Sequence, residues 1–532
     1  MSVQPFLQDQ NAKVEQLYRG VTHTSWMAQT TGEQEWAQKA GEAQAKLRTY
    51  FSDRRVYEKV QAYLQEGGLT ALEKRQLESL KYSFRENQLP EESLKELSQL
   101  SAELNHMFNT YSPEVSGKKL SANDIRNILI NSSDLQAREE AWKASKEVGK
   151  VVEEKLLTLV NKRNEAARAL GYANYHQMAF ENQELDRDEI FAIFQSLIDL
   201  SDSTYRKRKG ELDQELAAKF GIPVSALRPW HYADPFFQEA PASEEISLDR
   251  YLKHGDVEKL TAATFAAMNI PIADLYAASD LKPRPGKNPT AFCMDMDRKG
   301  DTRVLSNNEP NTYWMGTMLH EFGHAAYFKY LAPELPYILR MHAHTLTTEA
   351  IAMLFGKMTE NKEWLENILQ LEKEKVDQLA PALEKHEQLK MLISARWIIT
   401  FVFFERELYE NPGQDLNALW WKLVKEIQLV NPPEGRNLPD WAAKIHFTLA
   451  PVYYQNYLLG ELTSAQLYQH IKTEISQQFF TSAVGDFLNQ QFFQLGSKYS
   501  WNEKIERATG QPLNPQFFVD AYCRTLPEST AK

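Results

Sequence analysis

The stretch Met318 to Phe328, MLHEFGHAAYF, places His320 and His324 four residues apart with Glu321 directly behind the first. On a helix, positions i and i+4 share a face, so both imidazoles can reach one ion while Glu321 projects towards its open side. Two imidazoles make only part of a metal site. Any fold that uses the pattern must therefore hold a helix here and bring a further donor to it from elsewhere in the chain. Asn311 or Thr312, just after Pro310, can cap that helix, and Gly323 leaves room for another element to pack closely against it.

Catalytic zinc sites hold three protein ligands and keep one position for water. The segment HTLTTEAIAMLFGKM supplies Glu349 on a second expected helix, 25 residues beyond His324. His342 and His344, from RMHAHTL, are rival ligands in an expected loop before that helix. Mixed imidazole and carboxylate ligation with an open position suits one zinc ion, beside which Glu321 can serve as general base.

Composition narrows the rest. With 43% hydrophobic and 25% charged residues, the 532-residue chain is of ordinary globular type. Its 72 acidic and 60 basic residues give a net charge of -12, and no basic face is interleaved with aromatics, which argues against a nucleic-acid partner. The most apolar run, WIITFVFF (Trp397 to Phe404), is far short of the roughly 20 residues of a membrane span and reads as a buried helix segment. The beginning, MSVQPFLQDQNAKVEQ, has neither the basic start nor the apolar run of a signal peptide, so a cytoplasmic location is expected. Cys293 and Cys523 follow no metal or disulfide spacing and are expected to be free thiols.

Helical periodicity runs through NAKVEQLYRGV, EAQAKLRTYF and EESLKELSQLSAELNHMF, and again from Arg138 to a C-cap at Gly171. Strand signals concentrate in TAFCMDM and TRVLSNN, joined across Gly300, which predicts a hairpin just before the metal helix. No internal repeat and no long Gly/Ser linker separates domains. The expected fold class is mainly α.

Beyond the metal motif, the chain resembles the angiotensin-converting-enzyme-like peptidyl-dipeptidases, zinc metallopeptidases of the H-E-x-x-H plus Glu (gluzincin) type, related in fold to the oligoendopeptidase and thimet oligopeptidase group. The likeness runs from about residue 120 to 525, through VNKRNEAARALGYANY, WWKLVKEIQLVNPPEGRN, AAKIHF and GSKYSWNEKIERATG. It implies that His320, His324 and Glu349 hold zinc and that Glu321 is the general base. It further implies that Lys444 binds the substrate's terminal carboxylate with Gln238 and Tyr454, that His446 steadies the tetrahedral intermediate, and that Tyr457 serves the oxyanion. Tyr453 is an adjacent rival to Tyr454, because one extra residue separates His446 from the tyrosine pair. Ala291 stands on the strand that lines the substrate.

Three positions depart from the family pattern: Thr290 replaces a histidine beside Ala291, Met353 replaces an aspartate that orients a zinc histidine, and Asn456 replaces a chloride-binding arginine. The resemblance implies one peptidase domain over residues 1-532, a large helical ellipsoid of two lobes around a deep central cleft. Residues 1-110 are expected to form a lid, and residues 290-350 a small antiparallel sheet beside the zinc helices. The expected activity is hydrolysis of oligopeptides with release of C-terminal dipeptides. The alternatives are an oligoendopeptidase, a metallocarboxypeptidase releasing single residues, and a catalytically silent peptide-binding protein. The expected partner is a peptide substrate, with neither nucleic acid nor membrane involved; oligomeric state is not legible in the sequence.

Overall fold

Leu, Ala, Glu, Lys and Gln at three- and four-residue intervals favour helices that bury one stripe. The computed structural model describes residues 2-241, 246-253 and 256-526 and is 69% helical. Its strands form two antiparallel hairpins, β1 (Glu114–Val115) with β2 (Lys118–Lys119), and β3 (Phe292–Asp295) with β4 (Thr302–Leu305). The second is the expected one, in the register Phe292 opposite Leu305 and Asp295 opposite Thr302.

The first hairpin is additional to the small sheet expected beside the metal-motif helix. Its turn, Ser116-Gly117, has φ 51° and 79°, the left-handed conformation that two-residue hairpin turns require. Strands of two residues bury no apolar face, so they leave no alternating pattern to read.

The chain divides into two compact units. One comprises Met1–Gln88, Glu244–Leu383 and Leu459–Phe518; the other comprises Leu89–Ser243, Glu384–Leu458 and Val519–Lys532. The segment expected as a lid is thus shared: residues 1-88 belong with the metal-motif helix, whereas 89-110 belong to the other unit, where the helix Glu91–Thr110 starts directly after Pro90.

In the first unit the metal-motif helix, Thr312–Lys329, buries Met315, Met318, Leu319, Phe322, Ala325 and Ala326 completely in a core shared with Phe265, Ile351, Phe355 and Trp364. Of the two candidate caps, Asn311 is the one used: its side chain accepts from Trp314 N–H at 2.9 Å. A helix enclosed this thoroughly cannot rotate without breaking its core, so the direction of its histidines is fixed by packing.

In the second unit the helix Leu135–Ala169 is followed by Gly171 at φ 91°, where the periodicity placed its end. A Cβ at Gly149, within that helix, would lie 2.2 Å from the carbonyl oxygen of Pro439, so only glycine lets the 439-443 turn approach. Arg163 donates to the carbonyls of Phe447 and Thr448 at 2.7 Å and to the Tyr409 hydroxyl at 3.0 Å, pinning the residues that follow that turn. Trp397 to Phe404 lies in the helix Lys373–Glu410, all buried except the half-buried Phe403. Among the described residues no helix is long and apolar enough to cross a membrane. Both cysteines are free thiols.

Candidate metal centre

Two helices build the cluster. Thr312–Lys329 packs against Thr345–Gly356 through small residues: a Cβ at Gly323 would lie 3.0 Å from Ala352 Cα and 3.2 Å from the Ile351 carbonyl oxygen. One turn away His320 faces Gly356, where an added Cβ would be 3.3 Å from the His320 Cβ. The helices run antiparallel, so Glu349, near the start of the second, comes opposite the end of the histidine pair. His344 caps this second helix by accepting from Leu346 N–H at 3.1 Å through Nδ1.

One donor atom from each of His320, His324 and Glu349 lies within 4.8 Å of the other two. Glu349 Oε2 is 3.7 Å from His320 Nε2 and 3.9 Å from His324 Nε2. His324 Nδ1, on the far side of its ring, is 2.7 Å from Thr348 Oγ1. The rival histidines stand outside the cluster: His344 is the helix cap, and the His342 ring lies 5.8 Å from that of Phe328. Met353, where the resemblance has an orienting aspartate, is packing material whose sulfur would meet a Cβ added at Gly460.

Burial pushes the His320 imidazole down to about 4 and holds His324 well below the usual range, the latter further lowered by His320 and His342. Both rings are therefore neutral, with lone pairs free to coordinate. Burial, then the nearby Glu461 carboxylate, pushes Glu349 up to about 7. For Glu321, burial and then the Glu349 charge push its carboxyl up to about 8, opposed by a hydrogen bond from the Cys293 backbone N–H on β3. Two neutral imidazoles and a carboxylate, gathered at this distance and short of positive charge, fit a zinc ion with one position left open.

The second unit carries Gln238, Lys444, His446, Tyr453, Tyr454 and Tyr457. The Asp234 carboxylate accepts from the N–H groups of Phe236, Gln238 and Glu239 at 2.9 to 3.1 Å, and the turn so formed sets Gln238 Oε1 2.8 Å from Lys444 Nζ as its acceptor. Three rings surround that ammonium, with centroids at 5.1 Å (Trp397), 5.3 Å (Phe236) and 5.7 Å (Tyr454). Burial lowers Lys444 to about 8 against the pull of Asp234 and Glu239, and among the described residues it forms no ion pair.

Tyr454 is buried, its hydroxyl accepting from Trp397 Nε1 at 2.9 Å and its ring 4.2 Å from that of Phe401. The rings of His446 and Tyr457 lie 5.1 and 5.3 Å from it, and Tyr453 is 5.5 Å from Tyr457. His446 is lowered to about 4 by burial and then by Lys444, and its buried Nδ1 has no hydrogen-bond partner.

A strained turn precedes these tyrosines. Val452 has φ 53°, rare for a β-branched residue, and is held by Glu405, which accepts its N–H at 2.9 Å, and by Gln183 and Gln455, which donate to its carbonyl at 2.8 Å. Asn456 donates to Gln183 at 2.9 Å. Ala291, half-buried, precedes β3 rather than pairing in it.

Sequence reasoning had missed Thr348 and the aromatic pair Phe236 and Trp397. No spacing marks the aromatics, which come from distant segments, but an aspartate followed by Pro235 is a turn signal that could have flagged the Asp234 loop.

No curated protein matches the chain. The family model described as angiotensin-converting enzyme matches residues 1–208, and that of peptidase family M3 matches residues 128–523, a span that contains His320, His324 and Glu349. With well over half its length matching the latter, the chain belongs to peptidase family M3 and is a zinc metallopeptidase.

Proposed function

We propose that this peptidase releases dipeptides from the C-termini of oligopeptides, using one zinc ion held by His320, His324 and Glu349. Zinc bound there supplies Lewis acidity towards a water and the scissile carbonyl. Glu321 accepts the proton of the attacking water and delivers it to the departing amine. His446 and Tyr457 donate hydrogen bonds to the developing oxyanion, Lys444, Gln238 and Tyr454 hold the terminal carboxylate, and Ala291 lines the peptide.

The observation that carries the C-terminal reading is Lys444: a half-buried ammonium boxed by three rings, with a glutamine as its hydrogen-bond acceptor and no ion pair among the described residues. Such a cation is poorly compensated by the protein and gains from a ligand carboxylate. The test compares one peptide with a free and with an amidated C-terminus. Amidation is expected to lower kcat/KM by at least ~30-fold, the lower range for losing a buried charge-assisted pair; equal cleavage, or products other than dipeptides, rejects the reading. A second reading, cleavage within oligopeptides irrespective of the terminus, draws support from the metal cluster lying in the M3-matching span and outside the residues matched by the angiotensin-converting enzyme model.

A further inference from the structure

The aspartate expected to orient a zinc histidine is absent at Met353, yet His324 is not left to rotate. Its Nδ1 is 2.7 Å from Thr348 Oγ1, while its Nε2 faces Glu349 Oε2. Thr348 is 5% exposed, so no bulk water competes for that contact. The neighbouring Thr347 is engaged elsewhere, since its hydroxyl donates to the His344 carbonyl at 2.7 Å within the helix cap. Thr348 is therefore the hydroxyl of this pair that the antiparallel crossing of the two helices turns towards the histidine.

We infer that Thr348 is a positioning residue: its oxygen accepts the His324 Nδ1 proton and so presents Nε2, with its lone pair, to the metal. The inference rests on the metal assignment proposed above. A metal-bound imidazole is oriented by whatever binds its other nitrogen, and a fixed tautomer removes both the ring-flip and the proton-shift competitors of the coordinating form. Here the helix that delivers the carboxylate ligand also delivers the orienting group, from the adjacent residue. A hydroxyl is a neutral acceptor, so it fixes the ring direction while adding less to ligand basicity than a carboxylate would.

The test measures zinc affinity of the full-length protein by competition with a chelator, in wild type, Thr348→Val, Thr348→Ser and His320→Ala. Thr348→Val, which keeps the shape and removes the acceptor, is expected to weaken zinc binding ~10–100-fold. Thr348→Ser is expected to restore affinity to within a few-fold of wild type and to recover the zinc-free melting temperature, which Thr348→Val lowers by leaving the buried His324 Nδ1 without its partner. Zinc bound by Thr348→Val as tightly as by wild type, while His320→Ala loses it, overturns the role of Thr348 alone. Equal binding by wild type and His320→Ala overturns the metal assignment and this inference with it. A zinc-free melting temperature that falls in the valine variant and is not recovered by serine reassigns Thr348 to packing. Should the valine variant fail to fold, Thr348→Ala takes its place under the same criteria.

Discussion

Burial acts on Glu321 and Lys444 in opposite senses and brings both to about 8, yet their expected uses differ. Glu321 stands beside the metal cluster with one backbone donor, so its carboxylate is placed to exchange protons. Glu321→Gln keeps the shape and loses the base; kcat is expected to fall ~10²–10⁴-fold, with zinc content by atomic absorption unchanged. Lys444 acts through its charge, which is present below about 8 and lost above it. KM for peptides with a free C-terminus is therefore expected to rise as pH passes upward through 8. The same scan on amidated peptides should show no such rise, and Lys444→Met should remove it. The histidine pair was legible because its spacing is local to one helical turn, whereas Glu349, on a separate helix, was suggested by the H-E-x-x-H plus Glu pattern. Gln238, Lys444 and Tyr454 were suggested by family likeness alone; nothing in the residues around Phe236 or Trp397 announces that they enclose an ammonium.

The helices around the metal cluster owe their position to close contact more than to propensity. Gly323→Ala would gain about 1 kcal/mol of helix propensity, but its methyl group meets the backbone of Ile351 and Ala352, which cannot swing aside as a side chain can. The net expectation is a loss of ~1–3 kcal/mol in chemical denaturation, typical of overpacking, together with weaker zinc binding. Gly20→Ala is the control: it is exposed on the helix Gln4–Thr31 with nothing within 4 Å, and is expected to stabilise by up to ~1 kcal/mol. Asn311→Ala removes the cap of the metal-motif helix and should cost about 1 kcal/mol by the same measurement. Helices were readable at this scale because a buried stripe repeats with the helical period, and the cap because few side chains can fill that position. The β1–β2 hairpin was not, since two residues show no period.

Across the whole molecule, the metal ligands come from one compact unit and the predicted carboxylate-binding residues from the other. Metal donors that converge only in the folded chain couple zinc binding to stability. Chelation is expected to lower the melting temperature and added zinc to restore it, by about 2.7 kcal/mol at a free zinc concentration one hundred times Kd; differential scanning calorimetry with and without chelator checks this. By itself the sequence determined the helical class, the pairing of His320 with His324 and the metal they suit, because each depends on neighbours within a few turns of chain. Tertiary structure alone decided that His342 and His344 both stand outside the cluster, which hydroxyl meets His324, and which rings close around Lys444. Those outcomes depend on how helices distant in sequence cross and on which small residues let them approach, and no local pattern carries that information.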